Sequence, residues 1–218
     1  MRPFVFAGQF QKSMSQERMN HAESEESAFR QERKGFMLID LTLPVDISVL
    51  SEGNKGELKG HIGTHFDVME QVFPLEYTRR NAILFDVRDI SGREITVEDI
   101  DPARIKEGMA VLFCSGFIEK FEYGSEQYRH SHPQLSKELI RTLTEYNISV
   151  IGLDFAGMRR GKEHTEYDRF CAERNVFAVE NLCSLSEVLK ITDECTVNIY
   201  PMRLIGATGL PCRVIAEV

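Results

Sequence analysis

With 218 residues the chain is long enough for one sizeable hydrophobic core and too short for a second full domain. Its 34 acidic against 26 basic side chains leave a formal charge of −8 and no basic stripe, which excludes a nucleic-acid footprint and leaves small molecules as the expected partners. Apolar runs such as Ala110-Val111-Leu112-Phe113 stop far short of the roughly 20 residues that span a bilayer, so no membrane partner is expected.

In chain order, residues 1–36 form a polar N-terminal extension. Gln9, Gln11 and Lys12 interrupt the short apolar patch after Met1 before a secretory core can form, so no signal peptide is read. From Gln11 to Lys34 no apolar periodicity is sustained, which predicts a mobile tail or one weak helix. The folded domain is placed at 37–218. It opens with a strand over Leu38 to Thr42, directly after Met37. Further apolar, branched or aromatic runs predict strands at Ala82 to Val87, Val111 to Cys114, Val150 to Leu153 and Val176 to Val179. Helices are predicted from Ser136 to Tyr146, with Ser136 as cap, from Thr165 to Arg174, capped by Thr165, and briefly after Thr96. Ser91-Gly92-Arg93 and Gly206-Ala207-Thr208-Gly209 read as turns. The fold class is therefore α/β, in a single domain. Five cysteines, Cys114, Cys171, Cys183, Cys195 and Cys212, form an odd set without short-spaced pairs, as expected of reduced thiols in a cytoplasmic protein.

The local signal for chemistry is His61-Ile62-Gly63-Thr64-His65-Phe66-Asp67. Imidazole nitrogen and carboxylate oxygen suit a borderline divalent ion such as Zn²⁺, and three protein ligands leave a position open for water or substrate. On a strand, His61, His65 and Asp67 share parity, with Gly63 between them marking a bend or a close backbone approach; on a helix the two histidines align at i,i+4, but Gly63, Thr64 and Phe66 are poor helix choices, so an extended segment is favoured. The competing explanation is a pair of surface or capping histidines near an aspartate.

From Leu38 onward the chain resembles the cyclase family that includes bacterial-type kynurenine formamidases. The resemblance is carried, in order, by Ile39-Asp40-Leu41-Thr42, the His61 to Asp67 motif, Ser115-Gly116-Phe117, His132-Pro133-Gln134-Leu135-Ser136, Ile151-Gly152-Leu153-Asp154, Glu180-Asn181-Leu182 and Gly209-Leu210-Pro211-Cys212-Arg213. It implies a swivelling β/β/α fold, a homodimer or homotetramer, and hydrolysis of an amide, lactone or related bond by metal-bound hydroxide. It further implies that His61, His65 and Asp67 hold one ion, and that Asp67 bridges to a second ion completed by Glu180 and a family histidine.

Two departures stand out. Aligned on Glu180, the family's second-metal histidine is replaced by Asp168, while His164 lies one helical turn earlier and shares its face, so Asp168, His164 or both complete the position. The family motif continues as Asp-x-Pro-x-His, whereas this chain reads Asp67-Val68-Met69-Glu70-Gln71, placing Gln71 where the proton-transfer histidine is expected. A glutamine amide positions water but does not exchange protons near neutral pH. Glu70 and His164 are the nearest candidate proton donors. The sequence thus points to a metal-dependent hydrolase of a small lactone, amide or imide, with zinc favoured over manganese and one or two ions. Its rival is a metal- and ligand-binding protein of the same fold that has lost turnover. Arg159 and Arg160 are read as either a clamp for a substrate carboxylate or a loop salt bridge, and His130 and His132 as structural.

Overall fold

The computed structural model describes residues 30–33, 36–44 and 60–218. The predicted tail up to residue 29 lies outside them. Four strands run parallel: β4 (Arg79–Asp86), β5 (Ala110–Cys114), β6 (Val150–Leu153) and β7 (Phe177–Glu180). Parallel neighbours need crossovers, which are supplied between β5 and β6 by α1 (Phe117–Lys120), α2 (Glu126–Ser131) and α3 (Lys137–Glu145). Between β6 and β7 the crossover is α4 (Lys162–Ala172), and α5 (Leu185–Leu189) follows β7.

Antiparallel strands complete the sheet. The short β3 (His65–Asp67) pairs with β7 on one side and with β9 (Gly209–Glu217) on the other, and β8 (Glu194–Pro201) joins β9 to β4. The circuit β9-β3-β7-β6-β5-β4-β8 therefore closes on itself as a seven-stranded barrel-like sheet. A hairpin of β1 (Arg30–Arg33) and β2 (Phe36–Asp40) extends it along the C-terminal half of β9. The pairing of β1 with β2 carries regular structure across the expected boundary at residue 36. Arg30–Arg33, within the stretch read as a tail or helix, are thus a strand.

Strand parity sorts the core into two layers. Ala82, Leu84, Ala110, Leu112, Val150, Phe177 and Val179 share one cluster with residues of β8 and β9, on the face turned into the barrel. Their neighbours Ile83, Phe85, Val111, Phe113, Ile151, Leu153 and Ala178 pack instead against the helices, with Leu139, Ile140 and Leu143 of α3 and Tyr167 and Cys171 of α4. Helix α3 starts where expected, since the Ser136 side chain accepts from Leu139 N, and Thr96 with Asp99 closes a capping box on the short 3-10 turn Val97–Asp99. Helix α4 starts three residues earlier than the sequence reading put it. Its N-cap is Gly161, with no side-chain bond, so Thr165 lies inside the helix. Strands β8 and β9, absent from the sequence reading, mix buried with partly exposed positions; they pair with each other as a hairpin, and their outer partners β4, β3 and β2 lie far away in the chain.

Candidate metal centre

The site forms where β3, β7 and α4 meet, on the helix-facing side of the sheet. Phe66 enters the barrel core, so parity turns His65 and Asp67 the other way. His65 is the direct cross-strand partner of Glu180, and Asp67 that of Ala178. From α4 the i,i+4 pair His164 and Asp168 projects onto the same spot.

Only the second half of the motif is a strand. Residues 62–64 bend, with Gly63 at φ +54°, and His61 lies before the bend within reach of Asp67 and His65. Two glycines permit close approaches. A Cβ at Gly60 would lie 1.9 Å from Gly209 O, and one at Gly157 would lie 2.8 Å from His164 Cε1, so the chain beside each histidine needs the missing side chain.

His61 Nδ1 lies 2.8 Å from Asp67 Oδ1 and 3.1 Å from His65 Nε2, which is itself 3.7 Å from both Asp67 Oδ1 and Glu180 Oε2. The remaining ring nitrogens are held from behind. His61 Nε2 meets Thr208 Oγ1 at 2.9 Å, and His65 Nδ1 meets the Gly63 carbonyl at 2.9 Å, which fixes the tautomer with Nε2 bare toward the cluster. His164 Nε2 is 3.1 Å from Glu180 Oε1 and 3.2 Å from Asp168 Oδ2. Two donor sets result, His61-His65-Asp67 and Asp67-His164-Asp168-Glu180, each with ligand atoms within 4.8 Å of one another and with Asp67 in both.

Three carboxylates are buried here together, at 0%, 1% and 3% exposure for Asp67, Asp168 and Glu180. Both oxygens of Asp67, both of Asp168 and Glu180 Oε1 have no aligned hydrogen-bond donor. Burial of unpaired anions is costly unless a cation compensates, and among the described residues no lysine or arginine reaches them. The donor chemistry and the orphaned oxygens therefore fit divalent ions.

The crowding of these groups also sets the direction in which each pKa moves. Burial pushes Asp67 and Asp168 up, with repulsion from Glu180 and Asp67 respectively adding to it. Burial lowers His65 and opposes protonation of His61 and His164. Asp67 nevertheless raises His61, and Glu180 with Asp168 raises His164 to about 10. Glu180 is held below its ordinary value despite burial, because His164 lies beside it.

The structure brings His61, His65, Asp67, His164, Asp168 and Glu180 together. Glu70 and Gln71 do not join that cluster. They sit on an exposed turn directly after β3, where Met69 and Glu70 adopt φ of +45° and +71°. Arg159 is committed elsewhere, to Glu94, Glu163 and the Leu135 carbonyl, which leaves no free fork for a substrate. His132 is buried, bonded through Nδ1 to Pro133 O and stacked on Phe155, as a structural histidine would be. Cys183 lies against Asp40 O, outside the cluster. Four supporting residues escaped the sequence reading. Asn181 donates to Gly63 O and accepts from the Tyr128 hydroxyl, Tyr123 OH accepts from Gly63 N, and Thr208 supports His61. Asn181 stood next to Glu180 in a quoted motif, but nothing in the spacing connected it to Gly63.

Residues 28–158 match the family described as "Putative cyclase", and the chain belongs to that family. No curated protein matches it. Among solved structures it is similar to one described as a potential metal-dependent hydrolase with cyclase activity (TM-score 0.66, 22% identity, covering 84% of this chain and 98% of that one). It is also similar to a predicted metal-dependent hydrolase from Bacillus stearothermophilus (0.62, 21%, 84% and 98%). A third is isatin hydrolase A from Labrenzia aggregata bound to benzyl benzoate (0.65, 18%, 92% and 98%). At these identities the likeness is one of fold.

Proposed function

We propose that this protein is a metal-dependent hydrolase that opens a small cyclic or acylated substrate, a lactone, amide or imide. One divalent ion is held by His61, His65 and Asp67, and a second by Asp67, His164, Asp168 and Glu180. The observation that carries the reading is the set of three buried carboxylates, five of whose six oxygens have no aligned hydrogen-bond donor, gathered with three imidazoles. When bound, such ions supply Lewis acidity and lower the pKa of a coordinated water to about 7.

The chain's own residues supply the rest. Thr208 and the Gly63 carbonyl orient the two imidazoles, and Asn181, anchored by Tyr128, holds that carbonyl in place. Glu70 is kept as the proposed carboxylate for proton transfer and Gln71 as the proposed amide that orients water or substrate, both on the exposed turn after β3 and outside the cluster of ligands. With a glutamine there, substrates whose leaving group departs with little protonation are favoured, which selects lactones, enol esters and activated imides over plain amides. Zinc is the favoured ion at the nitrogen-rich position and manganese the alternative.

The cytoplasm is the proposed compartment, supported by five unpaired cysteines. Among the described residues no helix is long and apolar enough to cross a membrane. A homodimer or homotetramer is supported by Val72, Leu75, Met202 and Ile205, exposed at 85%, 81%, 57% and 98% on the segment after β3 and the β8–β9 connection. Light scattering on the purified chain tests the assembly; a monomer would count against it.

The rival reading, a ligand-binding protein without turnover, draws on Gln71 alone. Metal analysis of the purified protein, followed by assay against lactones, cyclic imides and formylated amines, separates the two. Hydrolysis that is lost on chelation and restored by metal supports the enzyme. Stoichiometric metal with no substrate turned over sinks it in favour of the rival.

A further inference from the structure

The two donor sets are chemically unequal. The first offers two nitrogens and one oxygen, and the second one nitrogen and three oxygens. We propose that the centre is built for two different ions, a zinc-like ion at His61, His65 and Asp67 and a harder divalent cation of the manganese type at Asp67, His164, Asp168 and Glu180. The inference deepens the two-ion reading above and rests on it.

Coordination number points the same way as donor type. Three protein donors with one open place suit tetrahedral zinc, whereas four protein donors, three of them carboxylates, suit an ion that takes six ligands and prefers oxygen. The extra donor comes from one turn of α4. His164 and Asp168, at i,i+4, both reach Glu180's neighbourhood, at 3.1 Å from Glu180 for the histidine and within the same donor set for the aspartate. Asp168 is the residue that sets the asymmetry. It is 1% exposed, both of its oxygens lack an aligned hydrogen-bond donor, and Oδ2 lies 3.2 Å from His164 Nε2 of the same donor set, so its carboxylate is presented to the cluster. In the family that the sequence resembles, this place belongs to an imidazole; here His164 keeps the single nitrogen of the second set, and Asp168 adds a third carboxylate to it. The change to aspartate therefore acts on one position and leaves the other as it was.

The test is zinc displacement. The full chain, stripped with chelator and reloaded with two equivalents of Zn²⁺, is dialysed against rising Mn²⁺, and both metals are counted by mass spectrometry, with the Mn²⁺ electron paramagnetic resonance spectrum as second readout. Two phases are expected, one equivalent of zinc leaving at a Mn²⁺ concentration about tenfold or more below that needed for the other, a gap of about 1.4 kcal/mol per decade. In Asp168→His the early phase moves up to join the late one. In Asp168→Asn, which keeps the shape, Mn²⁺ retention at the early-exchanging position falls about 10–100-fold while the late phase is unmoved. A single phase in the native protein, or an early phase unaffected by both substitutions, overturns the proposal. The failures are distinguishable: two indistinguishable zinc ions in a protein that hydrolyses substrate overturn this inference alone, whereas a protein that binds no ion overturns the two-ion reading with it.

Discussion

Replacing Asp168 by asparagine should change the protein's stability in opposite directions with and without metal. Without ions, Asp168 is a buried carboxyl whose two oxygens have no donor, and burial followed by repulsion from Asp67 pushes it well above the ordinary carboxylate range. Asparagine keeps the volume, removes the charge and offers N–H groups to the donorless oxygens of Asp67 and Glu180. What is lost is the 3.2 Å contact with His164, which keeps Glu180 at 3.1 Å.

A buried polar group without a partner costs about 1–3 kcal/mol, and the weakened His164 contact returns part of that, leaving about 1–2 kcal/mol in favour of the variant. For a chain of this size each kcal/mol moves Tm by about 2–4 °C, so thermal unfolding in chelator should shift up by about 2–8 °C. With Mn²⁺ or Zn²⁺ in excess the sign reverses. The native protein gains stability as RT ln(1 + [L]/Kd), and each tenfold loss of affinity in the variant removes about 1.4 kcal/mol of that gain. Calorimetry of both proteins in chelator and in metal reads all four Tm values. A variant that is destabilised in chelator, or shifted equally in both conditions, refutes the reasoning.

Three further outcomes are expected. Burial lowers His132 from 6.5 to about 4, so between those values the unfolded chain binds more protons than the folded one, and stability drops as pH falls from about 6.5 through 4. This should appear in urea unfolding as a slope of up to about 1.4 kcal/mol per pH unit that His132→Phe flattens. Asn181→Asp tolerates the φ of +59° but loses the N–H donated to Gly63 O, and calorimetric titration should show the affinity of the His61-His65-Asp67 position reduced about 10–100-fold. In Gly152→Ala the new Cβ would sit 2.3 Å from Leu112 Cδ2 and 2.9 Å from Leu182 Cδ1, both in the barrel core, and denaturant unfolding should register a loss of about 1–3 kcal/mol.

Much of the centre was legible because its halves are local. His61, His65 and Asp67 stand within seven residues, and His164 and Asp168 lie one turn apart on a helix whose buried stripe continues to Cys171 and Ala172. The parallel strands β4 to β7 were legible for a similar reason: β5, β6 and β7 are buried on both faces throughout, and β4 over its apolar run Ala82 to Phe85. Strands β8 and β9 were not, since Glu194–Pro201 and Gly209–Glu217 mix buried with exposed positions and are defined by the pairing that closes the barrel. The bend at Gly63 was legible in part, because a glycine inside a strand-like run marks a bend or a close backbone approach, and the structure shows the bend.

By itself the sequence determined which donors the protein owns and which share a face: nitrogen and oxygen at His61 to Asp67, an i,i+4 pair on α4 and Glu180 at the end of β7. Spacing along a strand or helix carries that information, because it follows from the 2.0 and 3.6 residue periods. Only the tertiary structure decided that these faces meet. The β3–β7 register sets His65 opposite Glu180, and the docking of α4 on that sheet face brings Asp168 and His164 together instead of choosing between them. It also placed Glu70 and Gln71 on an exposed turn and recruited Asn181, Tyr128 and Thr208 as supports. Register and docking are fixed by packing among segments more than a hundred residues apart, as Thr64 to Asn181 and Thr208 to His61 illustrate, and no local period encodes them.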